Sequence, residues 1–265
     1  MNRPMILCTN DDGIASPGLA AAAEALLPLG RLVVAAPLRQ QTSMGRAHTG
    51  DPDARFEPYP LRIDGHDIEA YSLDASPAAV VRHFFLAMPD RKPDLVVAGV
   101  NYGENIGVSV TSSGTVGAAL EAAMRGSPAL ALSLETEVDS QREYSDQDWS
   151  GSIHFTRYFA AMLLRRGMPP GVDLFKVEIP AGAGAETPWH MTRLSPFMYY
   201  HSEIAAPCLE SRRCDVLFRK QKRDNEPRDT DAYAVRTARC VAVTPLSLDL
   251  TARTPLESVL SWVKD

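Results

Sequence analysis

The chain has 265 residues, 45% of them hydrophobic and 23% charged, a composition that excludes disorder as the main state and fits one large domain or two small ones. A chain this long buries enough surface to fold without a disulfide or metal as a staple, so any metal would be there for chemistry. The 27 Lys and Arg against 33 Asp and Glu give a net charge of -6, which argues against a protein that coats nucleic acid or an anionic membrane and leaves small anionic substrates open.

Four cysteines, Cys8, Cys208, Cys214 and Cys240, form no CxxC pair and match no zinc spacing, so they read as reduced thiols. The first nine residues are too short and wrongly flanked for a signal peptide, and no run approaches the ~20 apolar residues of a membrane helix. The expected location is the cytoplasm.

Met5 to Cys8 and Arg31 to Pro37 are short apolar runs that suit buried strands. Between them, Ser16 as N-cap, Pro17 at the first helical position and the Ala- and Leu-rich run Leu19 to Leu29 predict a helix, with Gly30 ending it in a left-handed turn. The same βαβ grammar returns with Asp94 to Val100 as strand, Thr115 to Arg125 as helix closed by Gly126, and Ala129 to Leu134 as strand. Ser152 to Arg166 reads as another helix and Leu174 to Ile179 as a further strand. An α/β fold follows, with a mostly parallel sheet covered by helices over residues 1–180.

Beyond Pro180 the pattern is broken by Gly and Pro, and residues 181–245 read as a β-rich extension with a charged, exposed hairpin or loop from Arg212 to Arg228. Residues 246–265 hold a last helix, for which Thr254 and Glu257 have the form of a capping box and Leu256, Val259, Leu260 and Val263 form an apolar stripe.

Ligands of a doubly wound sheet sit at the carboxyl ends of its strands. Three oxygen-rich segments follow strands here: Thr9 to Gly13, Arg39 to Gly45, and Asn101 to Asn105. Two adjacent carboxylates at such a point repel by roughly 4 kcal/mol at 4 Å and an effective dielectric of 20. A hard divalent cation would offset this, and oxygen donors without His or Cys suit Mg²⁺ or Mn²⁺. Asp11 and Asp12 can share one ion only if the chain is turning there, which Gly13 permits; the plain alternative is a surface turn with an Asp capping the next helix. Thr111 to Gly117 leads into a helix and reads either as a phosphate-binding turn or as ordinary N-capping by Ser113. No P-loop, GxGxxG, GxSxG or HExxH motif is present. The six His are scattered, and only His48, six residues after Thr42, is placed to approach the site.

Taken together, Ile6 to Gly13 with Pro17-Gly18, the strand Val33 to Pro37 with its Gln-Thr-Ser loop, Pro93 to Gly107, and Ser113 to Ala119 resemble the SurE family of survival-protein nucleotidases. Val243 to Thr251 is similar to that family's C-terminal block, so the resemblance covers nearly the whole chain. It implies a Rossmann-like three-layer core with an extended β arm and an exchanged C-terminal segment. The implied activity is that of a metal-dependent phosphatase acting on nucleoside 5'- or 3'-monophosphates, with one Mg²⁺ or Mn²⁺ per subunit in a homodimer or homotetramer. By motif, Asp11 and Asp12 are the expected catalytic carboxylates and metal ligands. Thr42 stands where the family has a ligand Ser, with Ser43 as its rival, and Asn101 supplies the fourth ligand. Asn10, Asn105, Ser113, Gly114 and Thr115 are expected around the phosphate. Asp11 is also the expected acceptor of the attacking water's proton, and leaving-group protonation falls to His48 or to a metal-bound water. One departure is Ala75-Ser76-Pro77-Ala78-Ala79-Val80, where the family has Gly-Thr-Pro-Ala-Asp-Cys near its active site, which puts base preference in question. The competing readings are a dinucleotide-dependent oxidoreductase, a serine hydrolase using Ser113, and a non-catalytic nucleotide-sensing or assembly protein.

Overall fold

The computed structural model describes residues 3–137, 144–221 and 223–264. Its first half alternates strand and helix: β1 (Met5–Thr9), α1 (Pro17–Leu26), β2 (Arg31–Pro37), the short β3 (Glu57–Pro58) and β4 (Leu61–Ile63), β5 (His66–Leu73), α2 (Pro77–Ala87), β6 (Leu95–Tyr102), α3 (Gly114–Met124) and β7 (Ala129–Leu134). Then come α4 (Ser150–Arg166), β8 (Leu174–Ile179), β9 (Trp189–Met191), β10 (Tyr200–Glu203), β11 (Leu217–Lys220), the single turn α5 (Asp231–Tyr233), β12 (Val241–Leu246) and α6 (Leu256–Lys264).

Nine of these strands run in the order β3-β5-β2-β1-β6-β7-β8-β12-β9, with β4 on β5 completing a ten-stranded sheet. From β5 to β8 every neighbour is parallel. Period-2 alternation sends successive side chains to opposite faces. Ile6 and Cys8 pack with Leu19, Leu26, Phe155 and Phe159 under α1 and α4, whereas Leu7 packs with Val80, Phe84 and Val116 under α2 and α3. Three layers result, as the βαβ grammar predicts. Truncating a fully buried ring such as Phe84 costs about 3–5 kcal/mol.

Several expectations change. β5 and α2 are additions; the sequence of β5, HDIEAYSL, mixes charged and apolar residues at the sheet margin and so lacks the continuous apolar run of β1 or β2. Ser16 precedes α1 as foreseen but makes no capping bond. The helix ends at Leu26, so Gly30 does not terminate it; Gly30 is required because a Cβ there would lie 2.3 Å from the Pro4 carbonyl. In α6 the Pro255 carbonyl accepts the first turn's bonds from Ser258 and Val259, which puts Pro255 rather than Thr254 at the cap. The stretch 181–245 is not wholly an extension. β12 pairs antiparallel with β8 and parallel with β9, so both finish the main sheet, and only β10 and β11 form a separate antiparallel pair. Among the described residues no helix is long and apolar enough to cross a membrane.

This order places the site. From β1 the chain moves to β2 on one side and later returns to β6 on the other, so β1/β6 is the switch point, where a crevice must open at the strands' carboxyl ends. Asp11 and Asp12 follow β1, and Asn101 lies at the end of β6.

Candidate active site

A cleft of about 570 Å³ opens at that point, lined among others by Asp11, Asp12, Thr42, Asn101, Asn105 and Ser113. β1 has already ended at Thr9, and Gly13 takes φ +104°, so residues 11 and 12 stand in a bend where adjacent side chains need not oppose each other. Asn10 builds this bend. Its side chain donates to the Gly13 carbonyl at 3.0 Å and accepts from the Gly13 N–H at 3.2 Å. It is fully buried and does not line the cleft, so the expectation that it touches phosphate gives way to a structural role.

Asp11 accepts from the Thr115 hydroxyl at the start of α3. A Cβ at Gly114 would lie 2.7 Å from Asp11 Oδ2, so only glycine admits the carboxylate this close to the helix. Gly114 and Thr115, expected around the phosphate, are therefore turned to Asp11, and neither lines the cleft. Asp12 accepts from the Tyr102 N–H at 3.0 Å and from Gln40 Nε2 at 3.2 Å, while its carbonyl accepts from the Tyr144 hydroxyl at 2.6 Å.

Asp11 and Asp12 are 6% and 2% exposed, and no described cation pairs with either. Burial pushes the Asp11 carboxyl up to about 6 against the lowering effect of Thr115, and pushes Asp12 up to about 8, the charge of Asp11 adding to it. Asn101 spends its NH₂ on the carbonyls of Tyr102 and Gly103, at 3.2 and 2.6 Å, which leaves its Oδ1 for a ligand. Two buried carboxylates without a described cationic partner, an amide oxygen and a hydroxyl form a donor set that fits one hard divalent cation. Thr42 and Ser43 both line the cleft.

Ser113 does cap α3, accepting from the Val116 N–H at 3.1 Å, and since it only accepts there its own proton is free to donate into the cleft. Asn105 donates to Ser133 Oγ at 3.0 Å and keeps a second N–H. His48 does not line the cleft; its Nε2 lies 3.4 Å from the buried Glu121 on α3. Residues 75–80 also stay outside it, and Ser76 instead accepts from the Thr49 N–H. Cys8, on the strand leading to the site, is no nucleophile, because burial pushes its thiol up to about 12.

The cleft's outer wall and its supports have no local signature in the sequence. The β10–β11 hairpin and the turn before it contribute Met198, Tyr200, Ser202 and Phe218. Buried Glu104 anchors this hairpin, pairing with Lys220 at 2.8 Å and accepting from the Tyr199 hydroxyl at 2.6 Å. Lys220 falls in the charged stretch expected to be merely exposed, yet its side chain is only 11% accessible.

The model of the family described as survival protein SurE matches residues 6–201. The chain belongs to the SurE family. A SurE relative from Methanocella arvoryzae, named a 5'-nucleotidase, is 41% identical over 256 residues, covering 93% of each chain. One from Thermococcus gammatolerans, with the same name, is 39% identical over 263 residues, covering 96% of this chain and 94% of its own. The SurE crystal structure from Aquifex aeolicus superposes with a TM-score of 0.76 at 28% identity, covering 99% of this chain and all of the other, and so extends the SurE likeness past residue 201 to the arm and C-terminus.

Proposed function

We propose that this chain is a metal-dependent 5'-nucleotidase that hydrolyses nucleoside 5'-monophosphates, and 3'-monophosphates by the same chemistry, to nucleoside and phosphate. The observation that carries this is the pair Asp11–Asp12, buried without a cationic partner in a cleft whose far wall is aromatic, in a chain whose SurE relatives are named 5'-nucleotidases. Bound by Asp11, Asp12, Thr42 and Asn101, one Mg²⁺ or Mn²⁺ per subunit would neutralise phosphoryl oxygens and lower the pKa of an attacking water.

The chain's own groups do the rest. Ser113 and Asn105 donate to phosphoryl oxygens and hold the ester for in-line attack, and positioning of this kind supplies much of the acceleration in phosphoryl transfer. The Asp11 carboxylate takes the water's proton, its orientation set by Thr115. With His48 facing Glu121, leaving-group protonation falls to a water.

The Tyr200, Phe218 and Met198 wall would take the base by stacking, worth about 1–3 kcal/mol and indifferent to base identity. Phe218→Ala should therefore cut the kcat/KM preference for AMP over ribose 5-phosphate about tenfold; an unchanged ratio would put the base elsewhere. The exposed stripe of Leu256, Val259, Leu260, Trp262 and Val263 on α6 supports a homodimer or homotetramer built through the C-terminal segment, and the four free thiols support a cytoplasmic location.

Phosphate release from a panel of mononucleotides, with Mg²⁺ or Mn²⁺ and then with chelator, tests the whole reading. Binding without release would leave a nucleotide sensor, and release that persists in excess chelator would remove the metal.

A further inference from the structure

β8 carries two charges where a central strand needs none. Phe175, Val177 and Ile179 enter the core under α1 and α4, while Lys176 and Glu178 point to the other face, and both are completely buried. A buried ion pair adds little or nothing to stability over well-packed apolar residues, so what these side chains hold is the informative question.

They hold the phosphate loop. Lys176 Nζ donates to the Asn105 carbonyl at 2.9 Å, and Glu178 Oε2 accepts from the Asn105 N–H at 2.9 Å, so both peptide groups flanking the Asn105 side chain are clamped. Lys176 also pairs with Glu178 at 3.3 Å and with the buried Asp231 at 2.8 Å. Asp231 in turn accepts from the N–H groups of Gly107 at 3.0 Å and Ser195 at 2.8 Å. Gly107 opens the short 3₁₀ helix Gly107–Ser112 that delivers the chain to Ser113. The segment from Asn105 to Ser113, with a phosphate donor at each end, thus hangs from this cluster.

We infer that Lys176 and Glu178 are positioning residues for phosphate binding, acting through Asn105. The inference rests on the reading above that Asn105 contacts phosphate. Neither residue bonds to Asp11, Asp12 or Asn101 among the described contacts, so their effect should fall on phosphate rather than on metal.

The test compares Glu178→Leu, which removes the acceptor for the Asn105 N–H but leaves Lys176 balanced by Asp231, with Glu178→Gln, which keeps an acceptor oxygen. Glu178→Leu should raise both the KM for AMP and the inhibition constant of inorganic phosphate about tenfold, with kcat changed less and half-saturation by Mn²⁺ unmoved. Glu178→Gln should stay within about threefold of the parent, and Lys176→Met should behave like Glu178→Leu. In an Asn105→Ala background Glu178→Leu should add less than about twofold, because the two act as a unit. An unchanged phosphate constant in folded Glu178→Leu, full additivity with Asn105→Ala, or a loss of Mn²⁺ affinity in step with phosphate would each overturn the inference. If Lys176→Met does not fold, the two Glu178 variants decide alone. Should Asn105→Ala itself leave the phosphate constant unchanged, the phosphate-contact reading falls and takes this inference with it; an effect of Asn105→Ala without one of Glu178→Leu removes only the positioning.

Discussion

Asp11→Asn should abolish turnover, lowering kcat for AMP by about 10³-fold or more while the protein stays folded. The substitution keeps the volume of the side chain. Its oxygen can still accept from Thr115, as Asp11 does, but the neutral amide cannot take up a proton. The site then loses one negative charge that would hold a cation, and the group that receives the water's proton is gone. Phosphate release and a calorimetric Mn²⁺ titration on the same sample check this. Near-normal turnover with Mn²⁺ bound would remove Asp11 from proton transfer, and turnover restored by raising Mn²⁺ would make it a ligand only.

The second large effect is on stability. With burial raising Asp11 to about 6 and Asp12 to about 8, against roughly 3.9 for an unfolded Asp, the metal-free native state holds protons that the unfolded chain has released. Stability is therefore fully present below about pH 4 as far as this pair is concerned, and is lost as the pH rises from there through 6 and on to 8. The metal-free protein should be less stable at pH 8 than at pH 5 by a few kcal/mol, each unit of upward displacement being worth about 1.4 kcal/mol. Saturating Mn²⁺ should reverse this, because a cation binds the ionised pair in the native state alone. Asp12→Asn should raise the Tm of the metal-free protein at pH 8, by about 2–4 °C for each kcal/mol recovered, and flatten its pH dependence. An Asn side chain still accepts from the Tyr102 N–H, so the loop survives while activity is lost, the usual trade of stability for a strained site. Thermal scans with chelator across pH 5–8 decide it; a Tm that does not respond to Asp12→Asn would mean the pair is better solvated than its burial indicates.

The Glu104–Lys220 bond ties these effects to the arm. Glu104 lies between the Asn101 and Asn105 positions and is 1% exposed, so the hairpin is fastened to the floor of the site.

Local pattern was enough for the core of the fold. β2, β7 and β8 have the ends read from their apolar runs, α1 and α3 lie where Pro17 and Ser113 mark helix starts, and Asp11, Asp12, Thr42, Asn101, Asn105 and Ser113 all meet in one cleft. These signals are short-range: a strand's burial and a helix's cap are written in neighbouring residues, and strand ends of a parallel sheet converge by topology alone. Which atoms face one another is a long-range matter. Asn10 and Thr115 read as phosphate contacts, but only packing turns the first onto Gly13 and the second onto Asp11. The clamp on Asn105 joins residues 71–73 positions apart and Asp231, and Lys220 reaches Glu104 across 116. The one local trace was an apolar strand interrupted by charges at alternate positions, Lys176 and Glu178. A buried charge must find its partner wherever the chain brings one, and that partner is set by the assembled sheet, not by the residues beside it.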